Sequence, residues 1–176
     1  PHRFDDYAAS WTRLNPGWML RTWTDENLPG LINQDLFDSA DTYQQRADIA
    51  RYELIARFGG VYVDSDFECL KPIEPVIAGL RFFGARQGGP MLSNALFGAT
   101  PEHPIMRALV DRLRANLIAN ARHPITMQTV PEYITRIVGE HGDPNDPTQR
   151  VFAPAFFYPV GPDGVENFDL GHAIAT

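Results

Sequence analysis

Gln44-Gln45-Arg46-Ala47-Asp48-Ile49-Ala50-Arg51-Tyr52-Glu53-Leu54-Ile55-Ala56-Arg57-Phe58-Gly59-Gly60-Val61-Tyr62-Val63-Asp64-Ser65-Asp66-Phe67-Glu68-Cys69-Leu70-Lys71-Pro72 is the stretch that decides the fold. Ala47, Ala50, Leu54 and Phe58 are apolar at helical spacing, with Asp41 and Gln44 placed for an N-cap and its reciprocal partner, so the pattern predicts a helix. Gly59-Gly60 stops it. Val61-Tyr62-Val63 is β-branched and aromatic and predicts a buried strand. Its carboxyl end delivers Asp64 and Asp66 to a crevice, where open α/β sheets bind their ligands.

If the chain stays extended through Asp64-Ser65-Asp66, both acids point to one side, with Cα atoms roughly 6–7 Å apart at a rise of about 3.3 Å per residue. Such a pair suits a hard divalent cation, Mg²⁺ or Mn²⁺, which takes one or two protein carboxylates and leaves its other positions to water and phosphate. Asp48 and Arg51 lie three residues apart and share a helix face with Tyr52 and Ile55. Each feature has an ordinary reading beside this one. An acidic pair after a strand also makes a solvated turn, and an Asp/Arg pair on a helix also makes a surface ion pair worth little. The ordered set in one helix-to-strand unit favours a site.

At these residues the chain resembles the glycosyltransferase sugar-binding region containing the DXD motif, glycosyltransferase family 32 and its relatives. That group includes initiating and sphingolipid mannosyltransferases and, more distantly, clostridial glucosylating toxins. The resemblance rests on Arg46-Ala47-Asp48, Arg51-Tyr52, Phe58 through Asp66 and Leu70-Lys71-Pro72. It extends more weakly through Asn15-Pro16-Gly17-Trp18, Trp23-Thr24-Asp25, Ser93-Asn94-Ala95, His103-Pro104 and Thr129-Val130-Pro131. It implies an α/β, GT-A-like fold with a mixed sheet flanked by helices. It also implies a nucleotide-diphosphate sugar donor, UDP- or GDP-linked, a hydroxyl acceptor, Mn²⁺ or Mg²⁺, and transfer of a hexose with retention at the anomeric carbon. Carried over by position, Asp66 is the direct metal ligand and Asp64 binds ribose, donor sugar or metal-bound water. Asp48 and Arg51 hold donor-sugar hydroxyls, Tyr62 lines the nucleotide site and Asn94 approaches the donor sugar.

The chain also departs from that pattern. Relatives begin with a strand bearing an aromatic residue for the base, whereas this chain opens on a helical pattern at Phe4, Tyr7, Ala8 and Trp11. They close with a His-x-x-x-Ser-Trp-like segment, for which His172 is a poor substitute, and they often carry glycine where Val130 stands. A single domain spanning 1–176, trimmed of its first strand and its tail, is therefore expected. Three other readings stand beside the transferase: a non-catalytic nucleotide-sugar-binding module, a haloacid-dehalogenase-like phosphatase with Asp64 as nucleophile, and a glycosidase. The phosphatase requires a distant downstream lysine, and Lys71 is the only lysine. A glycosidase requires carboxyl groups flanking the scissile bond from opposed positions.

Bulk properties fit this picture. The 176 residues, 44% hydrophobic, suffice for a sizeable core. A formal charge of -7 gives no basic footprint for nucleic acid. There is no apolar run long enough to span a bilayer, and a cytoplasmic location, peripheral to a membrane or free, is expected unless an anchor has been removed. The lone Cys69 reads as a buried structural thiol. Trp18 to Trp23 is predicted as a strand and the tryptophans as core. Arg81–Ala85 and Met91–Ala99 are predicted as strands, joined through Gly88-Gly89-Pro90, a lip beside the acceptor. Met106, Leu109, Val110, Leu113 and Leu117 form one face of a helix that His103 caps, with Arg107, Arg112 and Arg114 solvated. Pro131 opens another helix with Thr129 as its cap. Val151–Val160 is predicted as an edge strand.

Overall fold

A computed structural model describes residues 2–122, 129 and 131–158. Val130, the turn at Gly161–Gly164 and His172 lie outside these. The elements run α1 (His2–Leu14), α2 (Gln34–Ser39), α3 (Tyr43–Phe58), β1 (Gly60–Val63), α4 (Glu74–Ile77), β2 (Phe82–Gly88), β3 (Met91–Ala99), α5 (Pro104–Ala119), α6 (Pro131–His141) and β4 (Gln149–Phe152). The sheet has the order β1-β3-β2-β4. β3 pairs antiparallel with both neighbours, and β4 joins β2 in parallel. This is the mixed α/β sheet flanked by helices that the resemblance implied.

The central helix forms as read, with its cap one residue later than expected. Thr42, in extended backbone, accepts from the Gln45 amide at 3.2 Å, so Thr42 takes the cap role assigned to Asp41. From Asp48 to Ala56 every residue of α3 is buried, which makes it the axis of the molecule rather than a one-faced surface helix. Phe58, expected on its core face, is exposed and stacks on Trp23 at 5.7 Å. Gly59 ends the helix at φ 66°, its amide bonded to Ile55 O at 2.9 Å. A Cβ there would stand 2.5 Å from Pro101 Cδ, so only glycine satisfies both the turn and the packing.

Two cores sandwich the sheet. On one face Ile49, Tyr52 and Ile55 of α3 meet Met106, Leu109 and Leu113 of α5, Tyr133 and Ile137 of α6, and Phe97 of β3. On the other, Trp11 of α1 and Cys69 pack with Phe83, Leu96, Phe152, Phe157 and Tyr158. Each fully buried large side chain of this kind contributes about 1.5–3 kcal/mol. Cys69 is a buried structural thiol, as read. Its sulfur accepts from Asn15 Nδ2 at 3.4 Å and burial raises its pKa.

β1 differs from expectation in being a half-buried edge strand, paired on one side only. Trp18 to Trp23 is not a strand. None of the amides of Met19 through Trp23 finds a hydrogen-bond partner among the described residues. The residue types suit a strand, but strand formation requires a partner edge, and none lies alongside among the described residues. Gly88-Gly89-Pro90 is the turn of the β2–β3 hairpin, with Gly89 at φ 58°. His103 does cap α5, accepting the Ile105 amide on Nδ1 at 3.3 Å. Arg107, Arg112 and Arg114 are exposed and ion-paired to Glu102, Glu140 and Asp35. The edge strand predicted over Val151–Val160 is shorter, giving way to a 3-10 turn at Pro154–Phe156. No helix among the described residues is long and apolar enough to cross a membrane.

Candidate functional site

Between Gly84 and Ala85 the partner on β3 jumps from Phe97 to Ser93, which loops Asn94, Ala95 and Leu96 out of that ladder. Bulges re-aim side chains and backbone groups, and this one points Asn94 at α3. The Asn94 carbonyl accepts from Arg51 Nη1 at 2.8 Å, and its Nδ2 donates to Asp48 Oδ1 at 2.8 Å. On the other side of the bulge, the Asp64 amide donates to Ala95 O at 2.9 Å. The looped residues thus tie the helix to the end of β1.

Asp48 is fully buried, and its partners surround it. Arg51 Nη2 lies 3.3 Å from Oδ1, and the Thr129 hydroxyl donates to Oδ2 at 2.7 Å. Thr129, expected as a helix cap, sends its hydroxyl here instead. The Tyr52 hydroxyl donates to the Thr129 carbonyl at 2.7 Å. The Asp48–Arg51 pair is therefore no surface ion pair. Burial raises the Asp48 pKa, against the pull of Arg51 and the hydrogen bonds from Thr129 and Asn94.

Arg51 reaches from this knot to the acids. Its Nη1 lies 3.2 Å from Asp64 Oδ1, and its guanidinium sits 4.5 Å from the centre of the Tyr62 ring. Burial alone would lower its pKa, but the negative charges of Asp64 and Asp48 and the Tyr62 phenol more than reverse that, so Arg51 stays charged. The Tyr62 hydroxyl donates to the same Asp64 Oδ1 at 2.6 Å. Asp64 is half-buried, and burial raises its pKa against the pull of Arg51 and the hydrogen bond from Tyr62, with the charge of Asp66 adding a smaller push upward. Among the described residues, both bonds to its carboxylate end on Oδ1, which leaves Oδ2 for a ligand.

The extended geometry assumed for Asp64-Ser65-Asp66 does not hold. The Phe67 amide bonds back to Asp64 O at 3.2 Å, so the acids sit on a turn, with Asp64 anchored and Asp66 exposed. Among the described residues no group of three or more His, Cys, Asp or Glu side chains gathers around one point. The donor set is thus one exposed carboxylate and one further carboxylate oxygen, which suits a hard cation that completes its shell with water and phosphate.

Beside the acids opens a cleft of about 690 Å³, walled by α3, β1, the Trp18–Asp25 segment and part of α1. Arg51, Tyr62, Asp64 and Ser65 line one end, while Trp18, Trp23, Tyr43 and Phe58 line the remainder. Of the three tryptophans only Trp11 is core; Trp18 and Trp23 border this cleft. Arg21 lies over the Trp23 ring at 4.6 Å. A second cavity of about 160 Å³, lined by Ile32, Glu53 and Arg57 among others, lies away from the acids.

Residues 1–83 match the family model described as "Glycosyltransferase sugar-binding region containing DXD motif". The chain resembles the DXD glycosyltransferases. It is 32% identical over 122 residues to "Inositol phosphoceramide mannosyltransferase 1" of Schizosaccharomyces pombe, covering 64% of this chain and 38% of that protein. It is 31% identical over 108 residues to "Mannosyl phosphorylinositol ceramide synthase SUR1" of Saccharomyces cerevisiae, covering 57% of this chain and 28% of that one. The chain therefore spans well under half the length of these relatives. Among solved structures it matches "PaToxG Glycosyltransferase" with a TM-score of 0.63 at 12% identity, covering 80% of this chain and 63% of that one. At that identity the likeness establishes a GT-A-like fold and nothing of substrate.

The structure brings Asp48, Arg51, Tyr62, Asp64 and Asn94 into one network, with Asp66 exposed at its edge. Asn94 stands behind Asp48 rather than in the cleft. The involvement of Thr129 depends on an 81-residue separation that no local pattern in the sequence signals.

Proposed function

We propose that this chain is the catalytic region of a metal-dependent, retaining hexosyltransferase that moves a sugar from a UDP- or GDP-linked donor to a hydroxyl acceptor. The observation that carries the reading is Arg51, a buried guanidinium held between Asp48 and Asp64 at the end of a cleft that Asp64 and Ser65 also line. A DXD match without that cleft would be a motif alone.

Each residue has a role that follows from its surroundings. Asp48, fixed by Thr129 and Asn94, holds Arg51 in one orientation, and pre-organisation of this kind lowers the cost of binding a charged donor. Arg51 presents positive charge to the end of the cleft. Asp66 and Asp64 Oδ2 would hold a Mn²⁺ or Mg²⁺ ion, which supplies Lewis-acid neutralisation of charge on a departing diphosphate. Tyr62 fixes Asp64 Oδ1. In a retaining transfer the bond from the anomeric carbon to the diphosphate oxygen breaks and the acceptor oxygen bonds to that carbon on the same face. The acceptor's proton passes to the departing diphosphate. The aromatic end of the cleft, at Trp23 and Phe58, offers a surface for the base.

Calorimetric titration of UDP-sugars and GDP-sugars, with and without Mn²⁺, tests the reading, with Asp66→Ala as control. Metal-dependent heat that the substitution removes, together with release of free nucleotide diphosphate on adding acceptor, is the expected result. Binding without turnover would make the chain a nucleotide-sugar-binding module. Absence of binding would overturn the proposal.

A further inference from the structure

Tyr158 lies in the segment that follows β4, well beyond the matched family region, which ends at residue 83. The 3-10 turn at Pro154–Phe156 fixes it, with the Tyr158 amide bonded to Pro154 O at 2.7 Å. Its ring packs edge-on against Phe67, the residue after Asp66, at 5.4 Å. The side chain is 6% exposed, and its hydroxyl is buried without a hydrogen-bond partner among the described residues. Ser93 lies near enough to influence the phenol without forming a hydrogen bond of proper geometry. Burial raises the Tyr158 pKa, and the charges of Asp64 and Asp66 raise it further while Arg51 opposes them. The group keeps its proton and is available as a donor.

A buried phenol without a partner is costly and uncommon, and it calls for an explanation. The carboxylates that act on this hydroxyl electrostatically do not bond to it. An acceptor-only oxygen brought into their corner from outside would satisfy it. The proposed donor carries such oxygens on its diphosphate, so the assignment of Tyr158 rests on the transferase reading. We propose that Tyr158 is a ligand-binding residue of the Asp64–Asp66 corner, its hydroxyl donating a hydrogen bond to a diphosphate oxygen of the nucleotide-sugar donor.

Tyr158→Phe separates this from a packing role, because it keeps the ring and removes only the hydroxyl. UDP, GDP, UMP and GMP are titrated in Mn²⁺ buffer into the wild type and the variant, and urea unfolding is followed for both. The expected result is a variant at least as stable as the wild type that binds the preferred diphosphate about tenfold more weakly, with monophosphate affinity unchanged. Equal diphosphate affinity, or equal losses for mono- and diphosphate, would overturn the inference while leaving the transferase reading in place. Earlier unfolding of the variant would show that the hydroxyl already has a partner and would also overturn it. A wild type that binds none of the four removes the transferase reading and this inference with it.

Discussion

Asp48 and Thr129, 81 positions apart, are joined by a 2.7 Å hydrogen bond from the threonine hydroxyl to carboxylate Oδ2. The same threonine accepts on its carbonyl from Tyr52, so the approach to α6 is fastened to α3 at two points one turn apart. A charge is kept inside the protein because its oxygens are fully engaged, and the arginine it holds faces the cleft.

Thr129→Val keeps the shape of this clamp and deprives Asp48 Oδ2 of its partner. A loss of about 1–3 kcal/mol in urea unfolding is expected, since a buried carboxylate oxygen is left unsatisfied. Thr129→Ser should restore most of it. Equal stability of Val and wild type would show that the bond contributes nothing.

Arg51→Met removes the cation that faces buried Asp48. The expected loss is about 3–5 kcal/mol, the cost of leaving a buried charge unpaired. Arg51→Lys recovers only part of this, because an ammonium cannot reach Asp48, Asp64 and the Asn94 carbonyl in one plane. Chemical denaturation of the three proteins at neutral pH provides the comparison.

The pH dependence follows from Asp48 being raised above its ordinary 3.8. The folded state holds this proton more tightly than the unfolded chain, so its contribution is fully present below 3.8 and is lost as pH rises through the folded pKa. Asp48→Asn has no such dependence. The difference in unfolding free energy, variant minus wild type, should therefore grow as pH rises from about 3.8 and then level off. A difference that shrinks over this range would mean that the pull of Arg51 outweighs burial.

Gly59→Ala should cost at least about 1–3 kcal/mol, because φ is 66° and the added methyl meets Pro101. The damage falls where α3 hands over to β1, so donor affinity should drop along with the urea midpoint. Calorimetry on the folded fraction distinguishes the two effects.

Trp23 lies against the cleft beside Phe58. Nucleotide binding should change tryptophan emission, and Trp23→Phe should remove most of the change while leaving the fold intact. An undiminished signal would assign the response to Trp18 and move the base along the cleft.

What could be read from the sequence was local. Helix α3, the glycine stop and β1 follow one another within a few turns of chain, and residue types suffice to predict them. The pairing of Asp48 with Arg51 was also legible as a shared helix face. Where the reading failed, distant contacts decide the outcome. Trp18–Trp23 has the composition of a strand without a partner edge. The Asp64–Asp66 spacing implied one side only while the chain stayed extended, and the Phe67 amide closes a turn there instead. The β3 bulge at Asn94, the Thr129 clamp and the buried hydroxyl of Tyr158 depend on register and long-range packing, which spacing does not encode.

The amides from Met19 to Trp23, which find no partner among the described residues, belong to a segment that lines the cleft together with α3. Amide exchange should therefore be uneven across a few ångströms: fast along the rim, and slow in the helix, where opening requires the Asp48 knot to come apart. The charged end of the cleft behaves as a fixed template and the aromatic wall as the adjustable part. A change of nucleotide preference is accordingly easier to obtain by altering residues 18–25 than by altering the acids.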